Sequence, residues 1–260
     1  MQLAKGGVMS IRVLAVIPTL ADDPTETIKG VVEQTVKVSR ILVAVGSRFL
    51  YRRLASTNPL DMVEYIYAEP DFRDPLGKRV AAGLNAALSN TRLEDYDYLL
   101  RVDADTVLPR RFIEENLKAG ADCVGEGGYA MLIKMEPFIK FFNGRLPEVG
   151  AEDSYIILKL LSRGCSVKPW ALPPRLKRKS GAHHPWRYRF VRGVEMYKLG
   201  YEPIHAFEPL LHDLRNILVV LGYFTGLLKK AGRYEFAGWV FRKQLRRLIF
   251  GSGSSQHRCM

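Results

Sequence analysis

Apolar and polar positions fall into blocks along the first half of the chain that read as strand, helix, strand. Ile11 to Ile17 is apolar apart from Arg12 and runs into Pro18-Thr19, the pattern of a buried first strand ending in a loop. Pro24 to Lys37 has helical spacing, with Asp23 placed to cap it. Ile41 to Val45, ending at Gly46-Ser47, predicts a second strand, and Met62 to Tyr67 a third. Leu76 to Leu88 carries Val80, Leu84 and Ala87 at the core spacing of a helix. Tyr98-Leu99-Leu100 reads as a further buried strand, after which Thr106 to Pro109 turn the chain into a helix with Pro109 in its first turn. Strands alternating with helices through short connections predict an α/β fold with a mostly parallel, doubly wound sheet.

The second half is patterned differently. After Asp122-Cys-Val come Gly125-Glu-Gly-Gly, an aromatic segment from Tyr129 to Phe142, and then Glu152-Asp153 leading into an apolar helix from Ile156 to Leu161. Pro173-Pro174 and the basic loop Arg175 to His184 mark a break in composition. Beyond Pro209 the spacing predicts two helices, about Leu210 to Lys230 and Tyr234 to Phe250, before a Gly/Ser-rich flexible tail. Asn216 to Leu228 is uncharged, but its thirteen residues rise only about 20 Å as a helix, short of the roughly 30 Å hydrocarbon core. Arg215, Lys229 and Lys230 border it, and Phe236, Trp239, Val240 and Phe241 stand beside Arg242, Lys243, Arg246 and Arg247. Such faces suit helices lying in a membrane interface. The same faces would also serve to pack on the α/β core or on a second copy of the chain.

Composition changes the picture in one respect. At 260 residues and 47% hydrophobic, the chain can bury a substantial core. Cys123, Cys165 and Cys259 are widely spaced, which argues against a disulfide framework or a zinc site and fits a reducing compartment. Met1 to Ser10 has no apolar run, so no signal peptide is expected. Charge is where the halves part. Residues 1–174 hold 22 Lys and Arg against 22 Asp and Glu, residues 175–260 hold 17 against 5, and the net +12 therefore belongs to the last third. A neutral body with a basic end points to an anionic partner facing that end, and lipid headgroups, nucleotide phosphates and nucleic acid all qualify.

Candidate chemistry starts with Asp103-Ala104-Asp105, directly after the strand Tyr98-Leu99-Leu100. Open α/β sheets bind ligands at the carboxyl ends of their strands. Two acids there are hard oxygen ligands for a divalent cation that in turn holds phosphate. A solvated turn capping the next helix would use the same residues.

With these residues in order, the stretch from about Ile11 to Ala206 resembles a family 2 glycosyltransferase of the GT-A fold, a group that includes the dolichyl- and polyprenyl-phosphate sugar synthases. Val16-Ile-Pro-Thr19 resembles the first-strand motif whose loop contacts the donor nucleoside, which implicates Pro18, Thr19 and Leu20, with Ser47 after the second strand. Arg79-Val-Ala-Ala-Gly-Leu-Asn85 resembles the helix whose arginine reaches the donor, and Asp103-Ala104-Asp105 the family's Asp-x-Asp. Glu152-Asp153 resembles the acidic pair that carries the catalytic base. The resemblance implies Mn²⁺ or Mg²⁺ held by Asp105 with Asp103 alongside, a GDP- or UDP-sugar donor, and Asp153 as base with Glu152 orienting it or binding acceptor. The metal would neutralise the leaving diphosphate and the base would take the proton of the attacking hydroxyl in one inverting displacement. Acids at a helix N-terminus are also favourable to its dipole without any catalysis. Arg178, Lys179 and His183 lie in a basic loop that in related enzymes closes over the diphosphate; a solvated loop meeting lipid headgroups is the alternative. Acidic residues that bind the base in many relatives are replaced by Val45-Gly46-Ser47-Arg48, and the Gln-x-x-Arg-Trp of processive synthases is absent.

These readings divide the chain into a catalytic domain over residues 10–206, a basic apolar helical appendage over 207–250 that associates with a membrane or forms a homodimer, and a tail over 251–260. They predict transfer of a hexose to a lipid-linked or glycolipid hydroxyl at the cytoplasmic face of the cell membrane, by a peripheral or monotopic protein. A phosphate acceptor, as in the polyprenyl-phosphate enzymes, would arrive already ionised and need no base, so Glu152-Asp153 leans toward a hydroxyl. A nucleotidyltransferase would share the sheet and the metal acids, but no Gly-rich basic loop follows the first strand. Nucleic-acid binding by an inert α/β scaffold is the reading from another class. Against it, Asn216 to Leu228 has no task on nucleic acid and the acidic pairs would repel phosphate without a metal.

Overall fold

The computed structural model describes residues 11–57, 60–177 and 186–250. In chain order the elements are β1 (Val13–Thr19), α1 (Thr25–Val32), β2 (Val38–Val45), α2 (Arg48–Thr57), β3 (Val63–Tyr67), α3 (Leu76–Leu88), β4 (Tyr98–Val102), β5 (Thr106–Val107), α4 (Phe112–Leu117), β6 (Cys123–Val124), β7 (Ala130–Lys134), α5 (Met135–Phe142), α6 (Glu152–Ser162), β8 (Val167–Lys168), β9 (Arg175–Leu176), α7 (Trp186–Leu199), α8 (Ile217–Leu228) and α9 (Ala237–Phe250). Seven strands form one sheet in the order β3-β2-β1-β4-β7-β6-β8. The first four are parallel, β7 runs antiparallel to both β4 and β6, and β6 and β8 are parallel.

Period-two alternation sends each strand's side chains to two separate cores. Leu14, Val16, Leu42, Ala44, Leu99, Met131 and Ile133 pack on one face beneath α3, α5, α6 and α9. Val13, Ala15, Ile17, Ile41, Val43, Leu100, Val102 and Leu132 pack on the other with Ile28 and Val31 of α1, Leu50 and Leu54 of α2, and Phe112 and Ile113 of α4. Burial on both faces explains the unbroken apolar runs of β1 and β2. Strand order reverses between β1 and β4, so their carboxyl ends diverge and leave a crevice there.

Several predicted boundaries are corrected. Thr106 and Val107 are not merely the turn into a helix; they pair antiparallel with Leu176 and Arg175, and α4 begins only at Phe112, beyond Pro109. Helix α1 stops at Val32 rather than Lys37, because Gln34 folds back on the Gly30 carbonyl and Val38 joins the sheet. The predicted helix from Leu210 is α8 from Ile217 alone. Before it, Pro203–Ala206, Glu208–Leu211 and Leu214–Asn216 are single 3-10 turns, two of them with proline in the first turn. Helices α2 and α7 were not foreseen. Helix α8 lies on α7, with Val219 and Tyr223 buried against Met196 and Tyr197.

Candidate active site

Four elements bring polar residues to the crevice. Strand β4 ends in Asp103-Ala104-Asp105, a turn pinned from three sides. The Asp103 amide donates to the Tyr129 carbonyl at 3.0 Å, the Thr106 amide to the Asp103 carbonyl at 3.0 Å, and the Thr27 hydroxyl to the Ala104 carbonyl at 2.7 Å. Ala104 itself is buried in the core against α1 and α4, which leaves the two acids facing out. Lys177, after β9, donates its amide to the Asp105 carbonyl at 3.0 Å.

Helix α6 supplies the second acidic pair in its first turn. Asp153 accepts from the Ser154 amide at 2.7 Å and from the Gly128 amide at 3.0 Å. Glu152 is buried, and its Oε1 takes a hydrogen bond from Arg101 Nη2 at 2.8 Å. The same nitrogen stands 3.4 Å from Asp103 Oδ1, so a side chain only 2% exposed ties the two acidic pairs together. Two glycines make room: a Cβ on Gly77 would overlap Glu152 Oε2, and one on Gly128 would stand 2.9 Å from Arg101 Nη2. Asn85 fixes the loop leading to α6, donating to the Leu146 carbonyl at 2.9 Å and accepting from the Leu146 amide at 2.7 Å.

Burial dominates the electrostatics. It pushes Asp103 up to about 6, against the pull of Arg101 and with Asp105 and Asp153 adding to the rise. It pushes Glu152 up to about 7, again opposed by Arg101 and reinforced by Asp153. For Arg101, burial works against the charge, but Glu152, Asp103 and Asp153 outweigh it and hold the guanidinium protonated. Tyr188 of α7 is raised by burial and by the charge of Asp153, which marks it as a neighbour of that carboxylate.

The cleft so formed has a volume of about 870 Å³ and includes Asp103, Asp105, Glu152, Asp153, Arg79 and Tyr188 in its lining. A smaller recess of about 180 Å³ adjoins it at the ends of β1 and β2, lined by Pro18, Thr19, Leu20, Gly46, Arg79 and Ala104 among others. The structure therefore gathers nearly all the residues that the sequence nominates for donor binding. Ser47 is the exception: its hydroxyl accepts from the Leu50 amide at 3.3 Å at the start of α2, and Gly46 lines the recess instead. Arg178, Lys179 and His183 lie outside the described residues. Arg101, Gly128 and the α7 side chains Arg187, Tyr188 and Arg192 also line the cleft and were not nominated. A cation inside an otherwise apolar strand, two residues before an acid on the same face, was the available signal for Arg101.

The donor set fits a hard divalent cation. Mg²⁺ and Mn²⁺ take oxygen ligands, commonly one or two protein carboxylates completed by phosphate and water, and Asp103 and Asp105 supply that number. Among the described residues, no group of three or more His, Cys, Asp or Glu side chains is placed to hold a metal ion. The buried side-chain polar atoms that lack a hydrogen-bond partner among the described residues are Arg79 Nε, Arg101 Nε and Nη1, and Thr106 Oγ1. All belong to residues at or next to this cleft.

The sequence matches no family model and no curated protein. The fold does have counterparts among solved structures. It is similar to a mannosyltransferase of Pyrobaculum calidifontis in complex with GDP-Man and Mn²⁺, at 19% identity and a TM-score of 0.55 over 93% of this chain and 81% of that one. It is similar to S. aureus TarS 1–349 in complex with UDP-GlcNAc, at 12% identity and a TM-score of 0.51 over 92% and 79%. It is also similar to the glucosyl-3-phosphoglycerate synthase of Mycobacterium tuberculosis in complex with Mn²⁺, UDP and phosphoglyceric acid, at 14% identity and a TM-score of 0.51 over 72% and 78%. With its mixed seven-stranded sheet, its switch point between β1 and β4 and its flanking helices, the chain has the GT-A fold.

Proposed function

We propose that this protein is a metal-dependent inverting glycosyltransferase that moves a hexose from a GDP- or UDP-sugar to a hydroxyl of a lipid-linked acceptor at a membrane surface. One observation carries the reading: the Asp103-Asp105 turn at the end of β4 and Asp153 at the head of α6 line the same cleft, with Arg79 shared between that cleft and the nucleoside-sized recess. Counterparts of the same fold hold GDP-Man with Mn²⁺, UDP-GlcNAc, and UDP with Mn²⁺, which supports a nucleotide-sugar donor and a divalent cation.

In this reading the recess takes the nucleoside and Arg79 faces the diphosphate. Asp105 and Asp103 would hold a divalent cation, which would supply Lewis-acid stabilisation of the leaving diphosphate. Asp153 is the base. The Ser154 and Gly128 amides occupy one lone pair on each of its oxygens and aim the carboxylate into the cleft. The acceptor hydroxyl gives its proton to Asp153 as its oxygen bonds to the anomeric carbon, and the carbon–phosphate oxygen bond breaks with its electron pair leaving on the diphosphate. Glu152 does not share this task, because it is turned onto Arg101. The lipid-facing part of the reading rests on the C-terminal third, where Ile204, Phe207, Leu211, Leu214, Ile217, Leu221 and Leu228 are exposed alongside Arg215, Lys229, Lys230 and Arg233. Apolar side chains rimmed by cations fit an anionic membrane interface. No helix among the described residues is long and apolar enough to cross a membrane.

A second reading, transfer to a polyprenyl phosphate, is favoured by Arg187 and Arg192, two cations of α7 in the lining of the cleft. Release of nucleoside diphosphate from UDP-glucose, UDP-GlcNAc and GDP-mannose with Mn²⁺ tests both. Stimulation by vesicles carrying a polyprenyl-linked saccharide supports the hydroxyl acceptor, and stimulation by vesicles carrying polyprenyl phosphate supports the second reading. No release from any donor, with or without either lipid, overturns both.

A further inference from the structure

Arg101 occupies a position where physical chemistry disfavours it. It lies in the middle of a seven-stranded sheet, on the face of β4 that Leu99 shares with the core beneath α3 and α6. Removing a guanidinium from water is costly, and a buried ion pair commonly does no better for stability than apolar side chains of similar volume. Stability alone therefore does not account for a cation here.

Its contacts do. Through Nη2 it reaches Asp103 at 3.4 Å, at the end of β4, and Glu152 at 2.8 Å, at the head of α6, and these two residues are remote in sequence. A second route runs through Gly128. Its missing side chain leaves space for the guanidinium, with a Cβ falling 2.9 and 3.0 Å from Nη2 and Nη1, while its amide holds Asp153 at 3.0 Å. Glu152 is boxed on its far side by Gly77, so the strut has little slack.

Building on the transferase reading above, we propose that Arg101 is a positioning residue that sets the first turn of α6 against the Asp103–Asp105 turn and so holds Asp153 at working reach of the donor. It acts through Asp103 and Glu152 rather than on sugar or acceptor. Its contribution is the registration of the base half of the site against the metal half. Displacement of a reacting group by about 1 Å costs about 100-fold in rate, so loosening the strut lowers turnover while the nucleotide, held by the recess, Arg79 and Asp105, stays bound.

The test compares wild type, Arg101→Lys and Arg101→Met by thermal melting, by calorimetric titration of Mn²⁺ with GDP and with UDP, and by nucleoside diphosphate release from the sugar nucleotide of the class that binds. Lysine keeps a cation on the same stem, whereas Arg101→Met leaves Glu152 a lone buried carboxylate. Where that unfolds the protein, Arg101→Met/Glu152→Gln removes both charges and is measured instead. The expected result is a folded methionine variant with nucleotide affinity within about threefold of wild type, kcat down about 100-fold, and partial rescue of kcat by Arg101→Lys. A folded methionine variant that turns over at the wild-type rate overturns the inference alone. So does one whose rate falls only in step with nucleotide affinity. A wild-type protein that binds neither nucleotide with Mn²⁺ overturns the transferase reading, and the inference with it.

Discussion

The cleft-bearing body and the basic C-terminal third weight their exceptional residues differently. In the body, positive and negative charges balance, most apolar side chains pack into two cores, and the buried polar groups include Arg101, Glu152, Asn85 and Thr106. In the last third, 17 basic residues face 5 acidic ones and, although Glu195, Glu202 and Gln244 are buried, exposed apolar groups predominate, with Leu211 and Leu214 84% and 83% exposed. A buried polar group and an exposed apolar patch are both departures from what folding alone selects, and each marks a surface meant for something else. In the function proposed above, the first serves the chemistry and the second a partner.

The comparison breaks if the two regions are not separable by mutation, and the largest effect should come from the base. Asp153→Asn keeps the side chain's size but cannot take a proton, and its NH2 gives up one of the two amide contacts made by Ser154 and Gly128; donor turnover should fall about 1,000-fold while nucleoside diphosphate affinity stays within about twofold. An equal loss of both in rate assays and calorimetry would show that Asp153 serves binding. Asp105→Ala should weaken Mn²⁺-dependent nucleoside diphosphate binding about 100-fold, with little change in the weak binding seen under a chelator.

On the other side, Leu211→Asp with Leu214→Asp should cut partition onto anionic vesicles about tenfold or more, since each leucine buried in lipid is worth about 1.5–3 kcal/mol. Melting temperature and nucleotide affinity should not move. Unchanged flotation with the vesicles would refute the membrane surface. The smallest expected effect concerns pH. Burial lifts Glu152 to about 7, above the ordinary carboxylate value, so the folded protein binds this proton more readily than the unfolded chain. Stability from this group is therefore present on the acid side and is lost as pH rises through about 7. Between pH 6 and 8 the ligand-free protein should lose about 1 kcal/mol, a few degrees in melting temperature. A melting temperature that rises over that interval would contradict the charge assignment.

Much of this was legible in the sequence because it is carried by local pattern. The apolar runs of β1 and β2, the helical spacing of α3, the acids after β4 and those in the first turn of α6 need no tertiary information. Helix α2 was hidden because only Leu50 and Leu54 are buried in it, too few to set a period. Helix α7 was hidden because it is covered by α8 on one side and lines a polar cleft on the other, so it has no single apolar face. Thr106 and Val107 read as the turn into a helix, not as a strand, because their strand partner lies some seventy residues away, at Arg175 and Leu176. Arg101 was passed over for a related reason: its partner Glu152 is fifty-one residues on, and only the fold brings them together.

The measurement that tests the central claim most directly is calorimetric titration of UDP and GDP into the wild-type protein, each with and without Mn²⁺. The account predicts saturable binding of one of them, strengthened strongly by the metal, with that strengthening largely lost in Asp105→Ala. Binding of neither, or binding indifferent to Mn²⁺, would reduce the acidic pairs to a turn and a helix cap and contradict the account.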